Sequence, residues 1–208
     1  MGKYTPKDAF YHQAKHDNFV ARSVYKLEEI DGKHHVLSKG GRVVDVGCSP
    51  GSWLQYAGDV VGPSGLVLGY DLVPPRAPRP QHVHVFEADV YALTPDRIRA
   101  DAAAAVGSDR AGDGLFDTFL SDMAPKTTGI HDTDQARSEA LVECALGLAF
   151  ELLRPGGVFV AKTFQGRGID GLLNHVKQGW RDTRVIRPKA TREGSRELFI
   201  VAWARQRA

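Results

Sequence analysis

An alternation of strand-like and helix-like segments that begins near residue 41 constrains this chain most. A short β-branched run at 41–47 ends in glycine and leads at once into a turn and the start of a helix at 50–57. A breaker follows at 62–65, and a second strand-like, largely apolar run at 66–71 ends in an acidic residue. A strand, a turn, a helix and a second strand make up a βαβ unit, which predicts two parallel strands with a helix packed against them.

The same alternation continues to the end of the chain and predicts an α/β fold. We expect a mostly parallel sheet of seven strands, with helices on both faces and ligands bound beyond the carboxyl ends of the strands. The remaining predicted elements are strands at 82–87, 116–122, 158–162, 183–187 and 197–203, and helices at 94–105, 141–153 and 169–180.

The composition is that of one globular domain spanning residues 1–208. Of these residues 42% are hydrophobic and 25% are charged, and a chain of this length buries a core without disulfides or metal. Cys48 and Cys144 are therefore expected to be reduced thiols, and no metal site is predicted because the histidines lack matching ligands. The longest apolar stretch, 141–150, contains Glu143 and is too short to span a membrane. Since the N-terminus also lacks a signal-peptide pattern, we expect a cytoplasmic protein.

Charge is distributed unevenly along the chain. Residues 1–42 hold 8 lysines and arginines against 5 acids, residues 43–153 hold 7 against 16, and residues 154–208 hold 12 against 4. Two basic ends around an acidic middle predict that the ends contact a polyanion, with residues 1–40 as a basic helical segment. Charges scattered over a solvated surface would give the same totals, so the distribution alone leaves both interpretations open.

The loop after the first strand suggests a nucleotide-like cofactor. It lacks the dinucleotide fingerprint, because Ser49 and Ser52 stand where that pattern needs glycine. Asp71 ends the second strand, where an acid binds ribose hydroxyls, and Asp89 follows the third, where a carboxylate accepts from an adenine amino group. A turn without a ligand and a turn-forming Asp89 are the structural alternatives. A cationic ligand with a ribose suits the acidic middle of the chain, which favours S-adenosylmethionine.

Four ionisable residues stand in contexts that suggest catalysis. Lys26 lies in a basic and aromatic segment, and Asp122 follows the fourth strand. Lys162 ends a strand that should be buried, and Glu197 begins the last strand. With their neighbours they resemble the FtsJ/RlmE family of RNA ribose 2′-O-methyltransferases over residues 11–204. The motifs that carry the resemblance are Ala21-Arg22-Ser23-Val24-Tyr25-Lys26-Leu27, Val44-Asp45-Val46-Gly47-Cys48-Ser49-Pro50-Gly51-Ser52-Trp53, Ser121-Asp122-Met123-Ala124-Pro125, Val160-Ala161-Lys162-Thr163-Phe164-Gln165-Gly166 and Ser195-Arg196-Glu197.

The resemblance implies a fold, a reaction and a substrate. The implied fold is a Rossmann-like class I methyltransferase sheet with an antiparallel last strand. The implied reaction is transfer of a methyl group from S-adenosylmethionine to the ribose 2′-hydroxyl of a uridine in large-subunit ribosomal RNA. Related branches of the family act on tRNA or on mRNA caps, and tRNA therefore stays an alternative substrate.

The resemblance also implies roles for particular residues. It makes Lys26, Asp122, Lys162 and Glu197 a catalytic tetrad. Lys162 is the candidate base, and Lys26 is a candidate for the cation that promotes loss of its proton. Trp53 has a structural alternative, since a lone tryptophan is more often a core residue. The residues implied to line the S-adenosylmethionine pocket are Gly51, Trp53, Asp71, Asp89 and Asp122.

Basic and aromatic residues near both ends predict an RNA-binding surface around the tetrad, on a protein that we expect to be monomeric. The aromatics at 19 and 25 are instead expected to fasten the N-terminal helix to the core. Two other functions stay open: an RNA-binding module in ribosome assembly, and a nicotinamide-dependent oxidoreductase, which Ser49 and Ser52 oppose. The surface residues are Lys3, Tyr4, Lys7, Phe10, Tyr11, Lys15, Phe19, Arg22, Tyr25, Lys26, Arg181, Arg184, Arg187, Lys189, Arg192 and Arg196.

Overall fold

The computed structural model describes residues 8–75, 78–107, 112–166 and 168–206. Within them the strands form one seven-stranded sheet. The helices are α1 (Ala9–His16), α2 (Val24–His34), α3 (Ser52–Val61), α4 (Pro95–Val106), α5 (His131–Leu152) and α6 (Ile169–Gly179), with a 3₁₀ turn at Val90–Ala92. The strands are β1 (Arg42–Val46), β2 (Leu66–Asp71), β3 (Val83–Glu87), β4 (Phe116–Ser121), β5 (Leu153–Phe164), β6 (Trp180–Ile186) and β7 (Glu197–Arg205).

The order of the strands confirms the predicted fold class. The sheet runs β3-β2-β1-β4-β5-β7-β6, and its first five strands pair in parallel. Strand β7 pairs antiparallel with both β5 and β6, so it alone runs against the others. Only the last strand of the chain therefore runs in the opposite direction to the rest of the sheet, as the family resemblance implies.

The two faces of the sheet are covered by different helices. In β5, Phe159 and Ala161 belong to the core cluster under α4, α5 and α6. Val160 belongs to the cluster on the other face, under α2 and α3. Successive residues of a strand point to opposite faces. Lys162 therefore shares the α2 face with Val160, and this parity brings it toward the helix that carries Lys26.

The N-terminal helices are fastened to the rest of the molecule by aromatic side chains. The rings of Phe10 and Phe19 lie 5.7 and 6.4 Å from that of Tyr25, and Ala190 packs in the same cluster. The Tyr25 hydroxyl donates to the Asp17 carboxylate at 2.7 Å. This confirms the expectation that residues 19 and 25 fasten the helix to the core.

Helix α5 begins earlier than the apolar pattern predicts. The pattern predicts a helix at 141–153, whereas α5 starts at His131. The first half of the helix is polar, and its start is fixed by the buried Asp134 carboxylate, which accepts from the backbone N–H groups of Thr128 and Gly129 at 2.7 and 3.1 Å. In the described ranges no helix is long and apolar enough to cross a membrane.

Candidate active site

The turn after β1 is built on a glycine that no other residue can replace without rearrangement. Gly47 adopts φ +74°, and its N–H donates to the Tyr70 carbonyl at 2.8 Å. A Cβ at this position would lie 2.4 Å from Cγ of Met123. The main chain after β1 is thereby drawn against the segment after β4, and the two form one wall of a cavity.

The first cavity lies at the carboxyl ends of β1, β2, β3 and β4 and has a volume of about 540 Å³. Among the residues that line it are Asp71, Asp89, Asp122 and Lys162. The structure therefore brings together three of the predicted cofactor residues and the predicted base. This volume lies within the range typical of small-molecule sites. Three carboxylates against one ammonium group suit a ligand that carries positive charge.

Asp71 and Asp89 also hold their own loops in place. The Asp71 carboxylate accepts from the backbone N–H groups of Ser49 and Val73 at 2.9 and 3.0 Å. The Asp89 carboxylate accepts from the N–H of Tyr91 at 3.0 Å and caps the 3₁₀ turn. The turn-forming alternative for Asp89 is thus present in the structure, and it coexists with a position in the wall of the first cavity.

Gly51 and Trp53 do not line the first cavity. The Trp53 side chain is 2% exposed, its Nε1 donates to the Ser23 carbonyl at 2.9 Å, and its ring lies 5.7 Å from that of Phe199. Gly51 precedes α3 with φ +110°, and a Cβ there would lie 3.2 Å from Pro75. The Trp53 side chain thus lies in the core, as the structural alternative for this residue predicts. A contribution of these two residues to cofactor binding stays a prediction, and their main-chain atoms would have to make it.

The four residues of the predicted tetrad form two ion pairs, which we call the charged row. Nζ of Lys162 donates to the Asp122 carbonyl at 2.6 Å and lies 2.9 Å from Oδ1 of the same residue. Nζ of Lys26 lies 2.6 Å from Oε2 of Glu197 and 5.7 Å from the Phe199 ring. Both lysines are buried, with exposures of 6% and 9%. Because β7 is antiparallel, its first residue lies at the same edge of the sheet as the ends of β4 and β5.

The electrostatics of Glu197 connect the two pairs of the charged row. Burial alone would raise the pKa of this carboxyl. The Lys26 ammonium opposes burial through its charge and its hydrogen bond, and Lys162 and Arg192 add to that effect, so the pKa of Glu197 lies below its usual value. Lys162 therefore acts on the partner of Lys26 as well as forming an ion pair with Asp122.

Asp45 is a buried acid within the loop motif, and the sequence predicts no separate role for it. It is completely buried in β1, between Leu120 of β4 and Gly69 of β2. Neither carboxylate oxygen has a hydrogen-bond partner among the described residues. Burial, reinforced by the charges of Asp122 and Asp71, raises its pKa well above the usual range. An acid inside a β-branched run is the sequence signal that could have singled it out.

A second cavity, of about 550 Å³, lies on the α2 side of the charged row. Its lining residues come from the segment that leads into α2 and from the loop between β6 and β7. Lys26 and Glu197 belong to its wall, just as Lys162 and Asp122 belong to that of the first cavity. The charged row therefore separates two cavities of similar size.

Comparison with known proteins shows the family. The family model of FtsJ-like methyltransferases matches residues 19–205. The chain belongs to this family. Its relatives include proteins named ribosomal RNA large subunit methyltransferase E. The one from Desulfatibacillum aliphaticivorans is 40% identical over 99% of this chain and 94% of its own length, and the one from Syntrophobacter fumaroxidans is 43% identical over 95% of each.

A solved structure confirms the fold independently. A putative ribosomal RNA methyltransferase from Plasmodium falciparum superposes with a TM-score of 0.76 at 22% identity, covering 91% of this chain and 100% of its own. Membership in the FtsJ-like family confirms that the chain is a methyltransferase and that S-adenosylmethionine is its methyl donor. The oxidoreductase alternative is therefore wrong.

The first cavity has the chemistry that this donor needs. S-adenosylmethionine presents ribose hydroxyls, an adenine amino group and a sulfonium cation, and carboxylates at the ends of β2 and β3 accept from such donors. Asp71, Asp89 and Asp122 are the residues that would hold it. Among the described residues, no group of three or more histidines, cysteines or acids could hold a metal ion.

The predicted basic surface is present only in part. Arg22, Lys26 and Arg192 converge on the second cavity, and the N-terminal helices contact the β6–β7 loop through the Lys189 N–H, which donates to Glu29 at 2.6 Å. The arginines at 181 and 184 lie instead on β6, at the edge of the sheet. Lys3, Tyr4 and Lys7 lie outside the described residues.

Proposed function

We propose that this methyltransferase modifies the ribose 2′-hydroxyl of a uridine in large-subunit ribosomal RNA. The observation that carries the proposal is the charged row, which stands between a cavity with acidic walls and a second cavity with basic walls. A cationic donor suits the first cavity, and a polyanionic acceptor suits the second. The names of the relatives support ribosomal RNA of the large subunit as the acceptor.

In this proposal, Lys162 takes the proton from the acceptor hydroxyl. Methyl transfer is an in-line displacement, for which the bound donor supplies an activated methyl group. The protein must align the hydroxyl and accept its proton. Lys162 suits this task because its Nζ is held from one side by the carbonyl and Oδ1 of Asp122. Because Asp122 takes up two contacts of the Lys162 nitrogen, another side of this nitrogen stays open for the substrate hydroxyl.

Lys26 and Glu197 position the acceptor on the other side. The Glu197 carboxylate neutralises Lys26 at 2.6 Å, and the two groups lie in the wall of the second cavity. An RNA ribose there presents hydroxyl groups that both donate and accept, so an ammonium and a carboxylate side by side can orient it. The acceptor hydroxyl then reaches Lys162 across the charged row.

The proposal extends to the setting of the reaction. We propose that the substrate is ribosomal RNA within the large subunit, and that the enzyme acts as a monomer in the cytoplasm. We also propose that residues 1–208 form one domain, with the basic segment 1–40 contributing to RNA binding. The packing of α1 and α2 against the β6–β7 loop supports this, because it joins the two basic ends of the chain.

Transfer of labelled methyl groups tests the proposal. The protein is incubated with labelled S-adenosylmethionine and, in parallel, with large subunits, small subunits and bulk tRNA. The label is then mapped after alkaline hydrolysis, because a 2′-O-methylated ribose resists cleavage at its own phosphate. A Lys162→Ala preparation serves as the control for contaminating methyltransferases. We expect alkali-resistant label at a uridine of the large subunit with the wild type alone. Label confined to tRNA, or on a base, would contradict the proposed substrate.

A further inference from the structure

A carboxylate from the N-terminal segment contacts two arginines in the wall of the second cavity. The Asp8 carboxylate is ion-paired with Nη1 of Arg22, and its Oδ2 also lies 3.8 Å from Nε of Arg192. Both arginines line the second cavity. The other oxygen, Oδ1, accepts from the Tyr11 N–H at 3.0 Å and caps α1. One acidic side chain therefore joins two guanidinium groups that come from opposite ends of the chain.

Arg22 is held in place independently of Asp8. Its guanidinium lies 5.3 Å from the centre of the Phe10 ring, and Nη2 donates to the Ala190 carbonyl. The Arg22 side chain is 12% exposed. A buried guanidinium fixed by an aromatic ring and a carbonyl keeps its direction when its carboxylate leaves, and guanidinium groups bind carboxylates and phosphates with the same fork of donors.

Cations outnumber acids by one in the wall of the second cavity. Its wall holds the cations Arg22, Lys26 and Arg192 and the acids Glu193 and Glu197. Glu197 is already paired with Lys26 at 2.6 Å. Asp8 is the anion that Arg22 and Arg192 share in this structure, although it comes from outside the wall of the cavity.

We propose that Arg22 and Arg192 bind a backbone phosphate of the RNA strand, and that the Asp8 carboxylate occupies the place of this phosphate in the free protein. The Asp8 side chain then competes with RNA and moves away from the two arginines when RNA enters, while Phe10 of α1 keeps its contact with Arg22. A phosphodiester carries the same single charge as the carboxylate, so the exchange preserves the charge of the site. This inference rests on the proposed function, because it takes RNA as the occupant of the second cavity.

RNA is favoured over a free phosphate ion by the size and position of the cavity. Its volume of about 550 Å³ is far larger than one phosphate ion requires and suits a nucleotide. Its wall also includes Lys26 and Glu197 of the charged row. A phosphate between Arg22 and Arg192 therefore belongs to the strand whose ribose lies at the charged row.

The variant Asp8→Asn tests this exchange without removing the helix cap. Asparagine caps helices as well as aspartate does, so α1 is kept while the competing charge is lost. Ion pairs that reach solvent contribute up to about 1 kcal/mol, and the Asp8 side chain of this pair is 26% exposed, so the RNA affinity should rise by about two- to fivefold. The salt dependence should steepen by up to about 0.7 in log Kd per log salt. In the variant, arginines that no longer pair with Asp8 bind salt anions, and they release these anions when the RNA phosphate binds. The measurement is fluorescence anisotropy with a labelled RNA hairpin that carries a uridine-rich loop.

Two further variants separate the proposed exchange from a general change in charge. Glu28→Gln removes an exposed acid from the same terminal segment that does not line the second cavity, and it should leave affinity and salt slope close to wild type. Arg22→Gln should weaken RNA binding and abolish the gain from Asp8→Asn in the double variant. An equal gain in Glu28→Gln, or a gain from Asp8→Asn that persists without Arg22, would overturn the exchange.

The same variants distinguish this inference from the proposed function. If labelled methyl transfer to ribosomal RNA fails while Asp8→Asn still tightens RNA binding through Arg22, the phosphate site stands and the proposed substrate is wrong. If transfer succeeds and the affinity of Asp8→Asn equals that of wild type, the exchange is wrong and the function stands. Competition by inorganic phosphate is the last arm. We expect millimolar phosphate to displace RNA no better than chloride at equal ionic strength, and selective displacement would assign the site to the free ion.

Discussion

The two lysines of the charged row are not equivalent, although each is buried and paired with one acid. Lys162 lies in the wall of the first cavity with two contacts to Asp122, whereas Lys26 lies in the wall of the second beside Glu197. The proposed roles follow from this difference, with Lys162 taking the reacting proton and Lys26 positioning the RNA. The family resemblance names Lys162 as the candidate base and Lys26 as its cationic neighbour, but it does not record that the two ammonium groups line different cavities.

Kinetic parameters should separate these roles. Replacing Lys162 by methionine removes the base and should lower kcat by about 10²- to 10⁴-fold, with the affinity for S-adenosylmethionine nearly unchanged. Lys26→Met should mainly raise KM for RNA. Lys177→Met, on the exposed surface of α6, is the matched control. Turnover is measured with labelled donor and affinity by calorimetry, and near-normal turnover of Lys162→Met would remove this residue from its role.

Asp45 should make the stability of the protein depend on pH. The pKa of Asp45 in the folded state is raised by burial and by the charges of Asp122 and Asp71, so the folded protein is most stable when Asp45 is protonated. Its contribution to stability is therefore complete below the pKa of the unfolded chain and is lost as pH rises toward the folded value. Asp45→Asn stays neutral, so its stability relative to wild type should increase between pH 4 and pH 8. Urea unfolding at several pH values measures this difference.

The comparison for Asp45 needs a control for the loss of one charge. Asp59 is an exposed acid on α3, and Asp59→Asn removes the same charge without affecting the buried site. A stability difference between Asp45→Asn and wild type that stays constant with pH would contradict a buried acid with a raised pKa. Asp45 was missed in the sequence because an acid between β-branched residues is equally compatible with an exposed strand end, and only the strands on both sides of β1 bury it.

Among the structural elements, the turn after β1 should be the least tolerant of substitution. Gly47→Ala places a Cβ 2.4 Å from Met123 in a left-handed backbone conformation, and we expect a loss of about 2–4 kcal/mol in the free energy of unfolding. Gly156→Ala is the control, since Gly156 also has positive φ, at 86°, but no atom within 4 Å. It should lose only about 1 kcal/mol. Equal losses in the two variants would mean that the contact with Met123 has no effect on stability.

The elements that sequence predicts well are those whose signals are local. The strands before Gly47 and Asp71 have β-branched runs with glycine or acid at their ends, and both are found as predicted. The start of α5 is fixed by the Asp134 carboxylate, which accepts from the N–H groups of Thr128 and Gly129 just before the helix, and no apolar spacing records this. The family resemblance places the tetrad along the chain, but only the antiparallel direction of β7 brings Glu197 to the edge of the sheet where Lys162 lies near the end of β5.

At the scale of the whole molecule, both ends of the chain meet on one side of the sheet. The N-terminal helices contact the β6–β7 loop through Arg22 and the Ala190 carbonyl, and through Glu29 and the Lys189 N–H. Trp53 adds a further link, because its Nε1 donates to Ser23 just before α2. Contacts that join the first forty residues to the core predict that the segment and the sheet unfold together, as one domain requires.

Tryptophan fluorescence tests this cooperativity because the tryptophans lie on different faces of the sheet. Trp53 packs on the α2 face and reports on the N-terminal segment, whereas Trp180 packs on the face under α5 and α6. In variants that keep only one of them, the other tryptophans being replaced by phenylalanine, fluorescence and circular dichroism should give the same Tm within each variant. Comparing the two signals within one variant removes the effect of the replacements on stability. An earlier transition of Trp53 alone would mean that the N-terminal segment is a separate unit, and the single-domain proposal would then be wrong.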